Sequence, residues 1–258
     1  MSAACLVIVF AKAPVAGFAK TRLIPALGAQ GAAELAQRML RHAVQQALAV
    51  RLPALTPTLS QGGRGQDEKT HHLMRKRTAA RRFLIPLGGR TTYVVGLGAL
   101  SVELCCAPDS RHAGFSEFAA LHGITLSDQG EGDLGQRMAR ALERGLLDHD
   151  KVLLLGTDAP ALDVAVLQAA ASALDAHDAV FVPALDGGYA LIGLRSSMRG
   201  FAPGALPDIF NAMPWSTPQL MQRTRERLAR QGLSHAELAP LADIDEPADL
   251  LHLPPNWL

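Results

Sequence analysis

The sequence predicts an α/β protein with a mostly parallel sheet flanked by helices. The apolar run at 152–155 has no polar alternation, which is typical of a parallel strand covered on both faces. Amphipathic helical stretches follow several apolar runs, as they do in βαβ units. Cations or carboxylates stand directly after three of these runs, and open α/β sheets bind ligands at the carboxyl ends of their strands.

The elements follow in chain order from hydrophobic periodicity and turn residues. Strands are predicted at 7–10, 102–107, 152–155, 179–183 and 189–194, the last two joined by a tight turn. Helices are predicted at 30–49, 115–121, 134–147, 163–176 and 217–231, with a short one after 243–247. For the helix at 163–176, Asp163 is the predicted N-cap.

Residues 51–92 interrupt this pattern with turn-forming, polar and basic residues that show no periodicity. We predict a flexible insertion here, within one domain that spans residues 1–258. A basic segment for nucleic acid is the alternative, but a tolerated surface insertion is favoured because long loops add little closure entropy.

Composition limits the function classes. The net charge of +1 lacks the strong basic excess typical of nucleic-acid-binding proteins. No apolar run reaches the 18 residues or so that a membrane helix needs. The first apolar run is short and lacks a basic segment before it, so we expect a strand and not a signal peptide. The three cysteines have no Cys-x-x-Cys spacing, so we expect reduced thiols and a cytoplasmic location. The oligomeric state stays open.

The loop after the first strand carries three cations, Lys12, Lys20 and Arg22. Cations at such a strand end indicate an anionic ligand, most commonly a nucleotide phosphate. The glycines of a P-loop and of a dinucleotide-binding turn are absent, since only Gly17 lies in this loop. We therefore expect side chains to hold the phosphates, with a solvated surface loop as the alternative.

Two aspartates follow neighbouring apolar runs, Asp158 after 152–155 and Asp186 after 179–183. Two carboxylates near a phosphate suit Mg²⁺ or Mn²⁺, which take oxygen ligands and often bind substrate phosphates as well. The sequence therefore predicts a divalent-metal site at these two residues. Turn formation is the alternative role for both, and Tyr189 either stacks on a ligand or belongs to the core.

Seven motifs occur in an order that resembles the bacterial GT-A-like nucleotide-diphospho-sugar transferases. More narrowly, the chain is similar to the radical-SAM-associated or arsenosugar-biosynthesis glycosyltransferases. The motifs are FAKAP at 10–14, KTRL at 20–23, GDLGQRM at 132–138, GTDAP at 156–160, PALDGGY at 183–189, PWSTP at 214–218 and DID at 243–245. The resemblance covers nearly everything except about residues 51–98.

The resemblance implies a GT-A fold, a Rossmann-like sheet with the nucleotide on its N-terminal half, and assigns roles to the site residues. Phosphate or nucleotide binding is implied for Lys12, Lys20, Arg22, Asp133 and Arg137. Asp158 and Asp186 would hold the metal, and with Lys20 they form the expected catalytic set. The substrate and acceptor side would comprise Gly187, Gly188, Tyr189, Trp215 and Ser216, although Trp215 has an equally good alternative role in the core.

These expectations describe a metal-assisted transfer of a sugar from a nucleotide-diphosphate sugar to a small acceptor. The first alternative is nucleotidyl transfer from a nucleoside triphosphate to a phosphorylated small molecule, because the same fold supports both reactions. A nucleotide-binding protein without catalytic activity is the second. The nucleobase, the sugar, the acceptor and the stereochemical course stay open. The catalytic general base is open too, with Asp186 as one candidate.

Overall fold

The computed structural model describes residues 3–50, 82–87, 90–95, 100–121, 123–198, 201–202 and 205–257. A seven-stranded sheet forms its centre, in the spatial order β5-β4-β1-β6-β8-β7-β9. Its strands are β1 (Ala3–Lys12), β4 (Leu100–Ala107), β5 (Ile124–Asp128), β6 (His149–Leu155), β7 (Ala179–Pro183), β8 (Tyr189–Arg195) and β9 (His235–Glu237). Two further strands, β2 (Arg82–Leu87) and β3 (Arg90–Val95), form a separate antiparallel pair.

The sheet is mostly parallel, as predicted. β1 pairs in parallel with β4 and β6, and β4 pairs in parallel with β5. β8 is the exception, because it lies antiparallel between β6 and β7. The predicted tight turn between these last strands is confirmed, since β8 follows β7 directly and pairs with it.

Helices cover both faces of the sheet. They are α1 (Ile24–Ala49), α2 (Ser116–Ala119), α3 (Leu134–Asp148), α4 (Val164–Ala173) and α5 (Leu220–Arg230). On one face, α1 and α4 pack with β-strand side chains such as Val7 and Leu153. On the other face, α3 and α5 pack with Ile8 and Leu154. Successive side chains of a strand thus point to opposite faces of the sheet. Because helices bury both faces, the central strands are apolar at every position.

The predicted elements are present, with several corrections to their number and bounds. The strands β5 and β9 were missed, because both are short and half-exposed and lack a continuous apolar run. α1 begins earlier than expected, although Gly28 (φ 70°) breaks its helical geometry after the first turn. α4 and α5 are shorter than expected, and Asp163 caps α4 as predicted, by accepting the backbone N–H of Val166.

Most of the expected insertion, residues 51–81, lies outside the described residues. Its last part contains β2 and the start of β3, so this end has regular structure. No helix among the described ranges combines the length and the apolar character needed to cross a bilayer.

The topology brings distant parts of the chain to one edge of the sheet. The parallel strands β1, β4, β6 and β7 all end there, and the loops that follow carry most of the predicted site residues. β8 begins at the same edge because it runs the other way.

Candidate functional site

A cleft of about 730 Å³ opens at the carboxyl edge of the parallel strands. The predicted site residues that line it are Lys12, Lys20, Arg22, Arg137, Asp158, Tyr189, Trp215 and Ser216. Asp133, Asp186, Gly187 and Gly188 are not among its lining residues. The cleft also receives Asp245 and Gln129, which the sequence did not suggest as site residues.

Lys20 lies at the centre of a charged cluster. Its ammonium contacts the Asp158 carboxylate at 2.7 Å and the Asp245 carboxylate at 2.8 Å. It also donates to the backbone carbonyl of Ile244 at 2.7 Å. A lysine ammonium has three N–H donors, so these three acceptors satisfy it fully. Lys20 therefore holds two carboxylates beside each other and, in this arrangement, has no donor left for a phosphate.

The burial and the pKa of Lys20 agree with this role. Its side chain is only 9% exposed, whereas those of Asp158 and Asp245 are 47% and 41% exposed. Burial lowers the pKa of Lys20, but the two carboxylates outweigh burial, so the pKa lies above its ordinary value. The cluster keeps a net charge of −1, with carboxylate oxygens open to the cleft.

The local backbone fixes this cluster. Lys20 has a left-handed conformation (φ 47°, ψ 46°) at the entrance to a short 3-10 helix. The backbone N–H of Ile244 donates to the carbonyl of Asp158, which ties the two aspartate loops together. The Asp249 carboxylate accepts the backbone N–H of Asp245 at 3.0 Å. In the sequence, only the motif at 243–245 pointed to Asp245. Its contact with Lys20 could not be predicted, because the two residues are far apart in the chain.

Asp186 forms a turn in the loop between β7 and β8. Its carboxylate accepts the backbone N–H of Gly188 at 2.8 Å, which is the turn-forming role given as its alternative. Burial and the nearby charge of Asp186 raise the pKa of Asp243 to about 6. Within the described residues, Asp245 and not Asp186 shares a partner with Asp158.

Two cations in the cleft lack a carboxylate partner among the described residues, namely Lys12 and Arg137. Lys12 donates to the backbone carbonyl of Phe18 at 3.2 Å, and Arg137 donates to the side-chain oxygen of Gln129 at 2.8 Å. Arg22 lies 3.8 Å from Glu246, and both of those side chains are about two-thirds exposed. All three cations line the cleft.

Gln129 positions Arg137 and was missed by the sequence analysis. Its buried side-chain amide donates to the carbonyls of Ala11 and Cys105, at the ends of β1 and β4, while its oxygen receives Arg137. Asp133 is also structural here, because its carboxylate caps α3 by accepting the backbone N–H of Gln136. A buried glutamine after an exposed strand gives no recognisable signal in one sequence.

The other part of the cleft is apolar. It lies on the sheet face covered by α3 and α5, and Tyr189 and Trp215 both pack against the core on that face. The hydroxyl of Tyr189 and the indole N–H of Trp215 are buried, and neither has a hydrogen-bond partner in the described part of the chain. Burial raises the pKa of Tyr189. Ser216 lies beside Trp215, with a left-handed backbone (φ 59°).

The two glycines after Asp186 serve the turn and its packing. Gly187 has φ 93°, and a Cβ atom there would fall 2.3 Å from the carbonyl oxygen of Pro218. Its own carbonyl accepts the backbone N–H of Met221 at the start of α5. At Gly188 a Cβ atom would meet the Asp186 carboxylate at 3.1 Å.

A metal ion would find oxygen ligands in this cleft but no complete protein cage. Among the described residues, no group of three or more His, Cys, Asp or Glu side chains is arranged to hold an ion. The carboxylates of Asp158 and Asp245 both contact the Lys20 nitrogen, so the two side chains lie next to each other. Magnesium commonly uses one or two carboxylates with substrate phosphates and water, so this donor set fits.

Comparison with known proteins supports the fold and indicates a class of activity. Residues 91–217, slightly less than half of the chain, match the family model DUF2064, described as an uncharacterised protein conserved in bacteria. A solved structure from Desulfovibrio desulfuricans G20 carries the provisional name nucleotide-diphospho-sugar transferase. It is 26% identical, covers 97% of this chain and 85% of its own, and superposes with a TM-score of 0.69. Among curated proteins, none matches the chain.

Two more distant structures are a synthetase and a synthase. CMP:2-keto-3-deoxy-manno-octonic acid synthetase, solved with CTP, is 11% identical with a TM-score of 0.48, and the match covers 96% of each chain. The 4-diphosphocytidyl-2C-methyl-D-erythritol synthase of Anaerococcus prevotii DSM 20548 is 9% identical, also with a TM-score of 0.48, over 96% of this chain and 95% of its own. At these values, neither carries an argument about function.

Proposed function

We propose that this protein is a nucleotide-dependent transferase that moves a sugar from a nucleotide-diphosphate sugar to a small acceptor, assisted by a divalent metal ion. One observation carries the proposal. The same cleft is lined by Lys12 and Arg137, which lack carboxylate partners among the described residues, and by two carboxylates held together by a lysine. The similarity to the Desulfovibrio protein, at 26% identity over nearly the whole chain, supports this class of reaction.

The free cations would bind the diphosphate. Lys12 and Arg137 face the cleft with no carboxylate to neutralise them within the described residues, and Arg22 adds a third charge at its edge. A departing nucleoside diphosphate gains negative charge as its bond to the sugar breaks. Positive groups already in place would stabilise that charge in the transition state.

The carboxylates of Asp158 and Asp245 would hold the metal ion, together with phosphate oxygens of the substrate. The metal would supply charge neutralisation for the leaving diphosphate. This assignment keeps Asp158 from the sequence prediction and proposes Asp245 as its partner. Asp186, the partner predicted from the sequence, is the competing assignment. Lys20 would act by keeping both carboxylates in position.

A product assay tests the reaction class. A panel of nucleotide sugars and nucleoside triphosphates, each with and without Mn²⁺, is first examined by thermal shift, since a true ligand raises the melting temperature even when it binds weakly. Turnover of the best ligand should release a nucleoside diphosphate. Release of pyrophosphate from a triphosphate would instead establish nucleotidyl transfer. Binding without any turnover would leave a nucleotide-binding protein.

Two matched variants test the metal assignment. Asp245→Asn and Asp186→Asn each remove one carboxylate charge and keep the size of the side chain. We expect the first to abolish the Mn²⁺-dependent part of the thermal shift and the second to retain it. The opposite result would return the metal site to the pair predicted from the sequence.

A further inference from the structure

Gln129, directly after β5, is a buried residue whose side-chain orientation is fixed by the ends of two strands. It is only 4% exposed. Its side-chain N–H groups donate to the backbone carbonyls of Ala11 at 3.0 Å and Cys105 at 3.1 Å. Carbonyls can only accept, so the amide nitrogen faces them and the amide oxygen faces Arg137. The sheet itself therefore decides which way this amide points.

The guanidinium of Arg137 is held at two points and keeps donors in reserve. Its Nη1 donates to the side-chain oxygen of Gln129 at 2.8 Å, and its Nε donates to the backbone carbonyl of Asp133 at 3.3 Å. These are the two acceptors of the guanidinium among the described residues. Because a guanidinium has five N–H donors, three are left for a ligand. Phosphate groups are bound most strongly by such donors, often two at a time.

A comparison of three arginines on α3 shows what is particular to Arg137. Arg144 contacts the Glu103 carboxylate, which neutralises its charge. Arg140 donates to the backbone carbonyl of Gln129. In the described part of the chain, Arg137 alone of the three lines the cleft, and it is held only by oxygens without a net charge. The arginine at the cleft is thus fixed in place and keeps its full positive charge.

We propose that Gln129 is a positioning residue that sets the affinity for the diphosphate by holding Arg137 without neutralising it. A glutamate of nearly the same size would pair with Arg137 and turn an oxygen toward two carbonyls, so the neutral amide serves both ends of this contact. A cation that is already in place also loses less conformational entropy when the ligand binds. The inference rests on the proposed function, in which Arg137 binds the leaving diphosphate.

A double-mutant cycle with inorganic pyrophosphate tests whether Gln129 acts through Arg137. The variants are Gln129→Met, Arg137→Met and their combination, with affinities measured by calorimetry at constant ionic strength and without metal. We expect Arg137→Met to weaken binding roughly tenfold or more, and Gln129→Met to weaken it roughly three- to tenfold. When Arg137 is already methionine, Gln129→Met should have no further effect. A glutamine with a merely structural role would cost the same factor in both backgrounds.

Arg140→Met is the matched control for the cycle. Arg140 bonds the backbone carbonyl of Gln129, so this variant disturbs the same loop but leaves the contact between Gln129 and Arg137 intact. We expect a lower melting temperature with little change in pyrophosphate affinity. The control therefore separates a loss of loop stability from a loss of positioning.

A measurement on the unaltered chain covers the case in which Gln129→Met does not fold, since that variant leaves the carbonyls of Ala11 and Cys105 without these donors. In protein labelled with ¹⁵N at arginine, the Nε–H signal that disappears in Arg137→Lys belongs to Arg137. We expect the two Nη nitrogens of Arg137 to give separate signals in the free protein, because a held guanidinium rotates slowly about its Nε–Cζ bond. The exposed Arg230 should give one averaged signal.

Two results would overturn the proposal. The first is an equal loss of affinity from Gln129→Met with and without Arg137, and the second is an averaged Nη signal for Arg137 in the free protein. Absence of pyrophosphate binding by the wild type would contradict the proposed function and this inference together. Binding by the wild type without coupling between the two residues would contradict this inference alone, so the two failures can be told apart.

Discussion

The two ends of the cleft satisfy their polar groups in opposite ways. At the carboxylate end, all three donors of the Lys20 ammonium have acceptors within 2.8 Å. At the apolar end, the hydroxyl of Tyr189 and the indole N–H of Trp215 have none within the described residues. Groups whose partners lie within the protein stabilise the fold, whereas a buried donor left without an acceptor costs stability. The same contrast separates Lys20 from Lys12, although both cations lie on the same loop.

Replacing Lys20 should disrupt the carboxylate end of the cleft and have the largest effect on stability. Lys20→Met keeps much of the aliphatic stem but leaves two facing carboxylates without their shared cation. We expect a loss of about 2–3 kcal/mol in the free energy of unfolding, measured by urea denaturation, because the lost contacts are charged hydrogen bonds and the carboxylates stay partly solvated. Mn²⁺ should stabilise this variant less than the wild type, because Lys20 no longer keeps the two carboxylates in position.

Lys151→Met is the matched control for this prediction. Lys151 also bonds a carbonyl and a carboxylate, those of Ala171 and Asp175, but away from the cleft. Its loss should cost less and leave the Mn²⁺ response unchanged. The pKa of Lys20 is raised, so its contribution is complete below about pH 10.5 and disappears only as the pH rises through the higher folded value. A deficit that varied between pH 6 and pH 9 would contradict this explanation.

Gly135→Ala should disturb the apolar end. The added Cβ atom would lie 2.5 Å from both the carbonyl oxygen of Phe210 and the Trp215 ring. The backbone carbonyl cannot move easily, so overpacking should cost about 2 kcal/mol in the free energy of unfolding. Gly31→Ala on α1 is the control, since its added Cβ atom would lie 3.3 Å from the Leu27 side chain. Equal stability of the two variants would show that Trp215 is not held tightly against α3.

Lys12→Gln should affect ligand binding and leave stability nearly unchanged. Lys12 is exposed and bonds only a backbone carbonyl among the described residues, so its removal should change the free energy of unfolding by less than about 0.5 kcal/mol. Binding of a nucleoside diphosphate, measured by calorimetry, should weaken by about 1.5 kcal/mol, roughly tenfold. Arg230→Gln, an exposed cation on α5, should leave the affinity as it is. Unaltered affinity in Lys12→Gln would place Lys12 with the solvated surface residues.

The sequence predicted the fold better than it predicted the contacts within the site. Apolar runs report burial on both faces, so the central strands of the sheet were recognisable, while the half-exposed β5 was not. Lys20 and Asp158 were both identified because each follows a strand end. Their direct ion pair joins residues far apart in the chain, and the participation of Asp245 depends on a contact across 225 positions. Local sequence patterns contain no information on such pairs. For the same reason, the contacts of Gln129 could not be predicted.

The smallest predicted effect concerns Asp243, whose carboxyl group lies among other acidic side chains at the carboxylate end of the cleft. Burial and then the charge of Asp186 raise its pKa to about 6, above the ordinary value of 3.8. The folded state therefore holds this proton more tightly than the unfolded state, and stability should fall as the pH rises from 3.8 to 6.

Asp243→Asn should remove that fall and make the protein more stable at pH 7.5 by about 1 kcal/mol, a discounted figure because the residue is only half-buried. At pH 4, where the wild-type carboxyl is largely protonated, the two proteins should differ much less. Urea denaturation at both pH values measures the difference, with Glu143→Gln on the exposed face of α3 as the control. An advantage of the same size at both pH values would mean that charge is not its cause. If Mn²⁺ reduces the advantage at pH 7.5, then a bound cation compensates this excess negative charge.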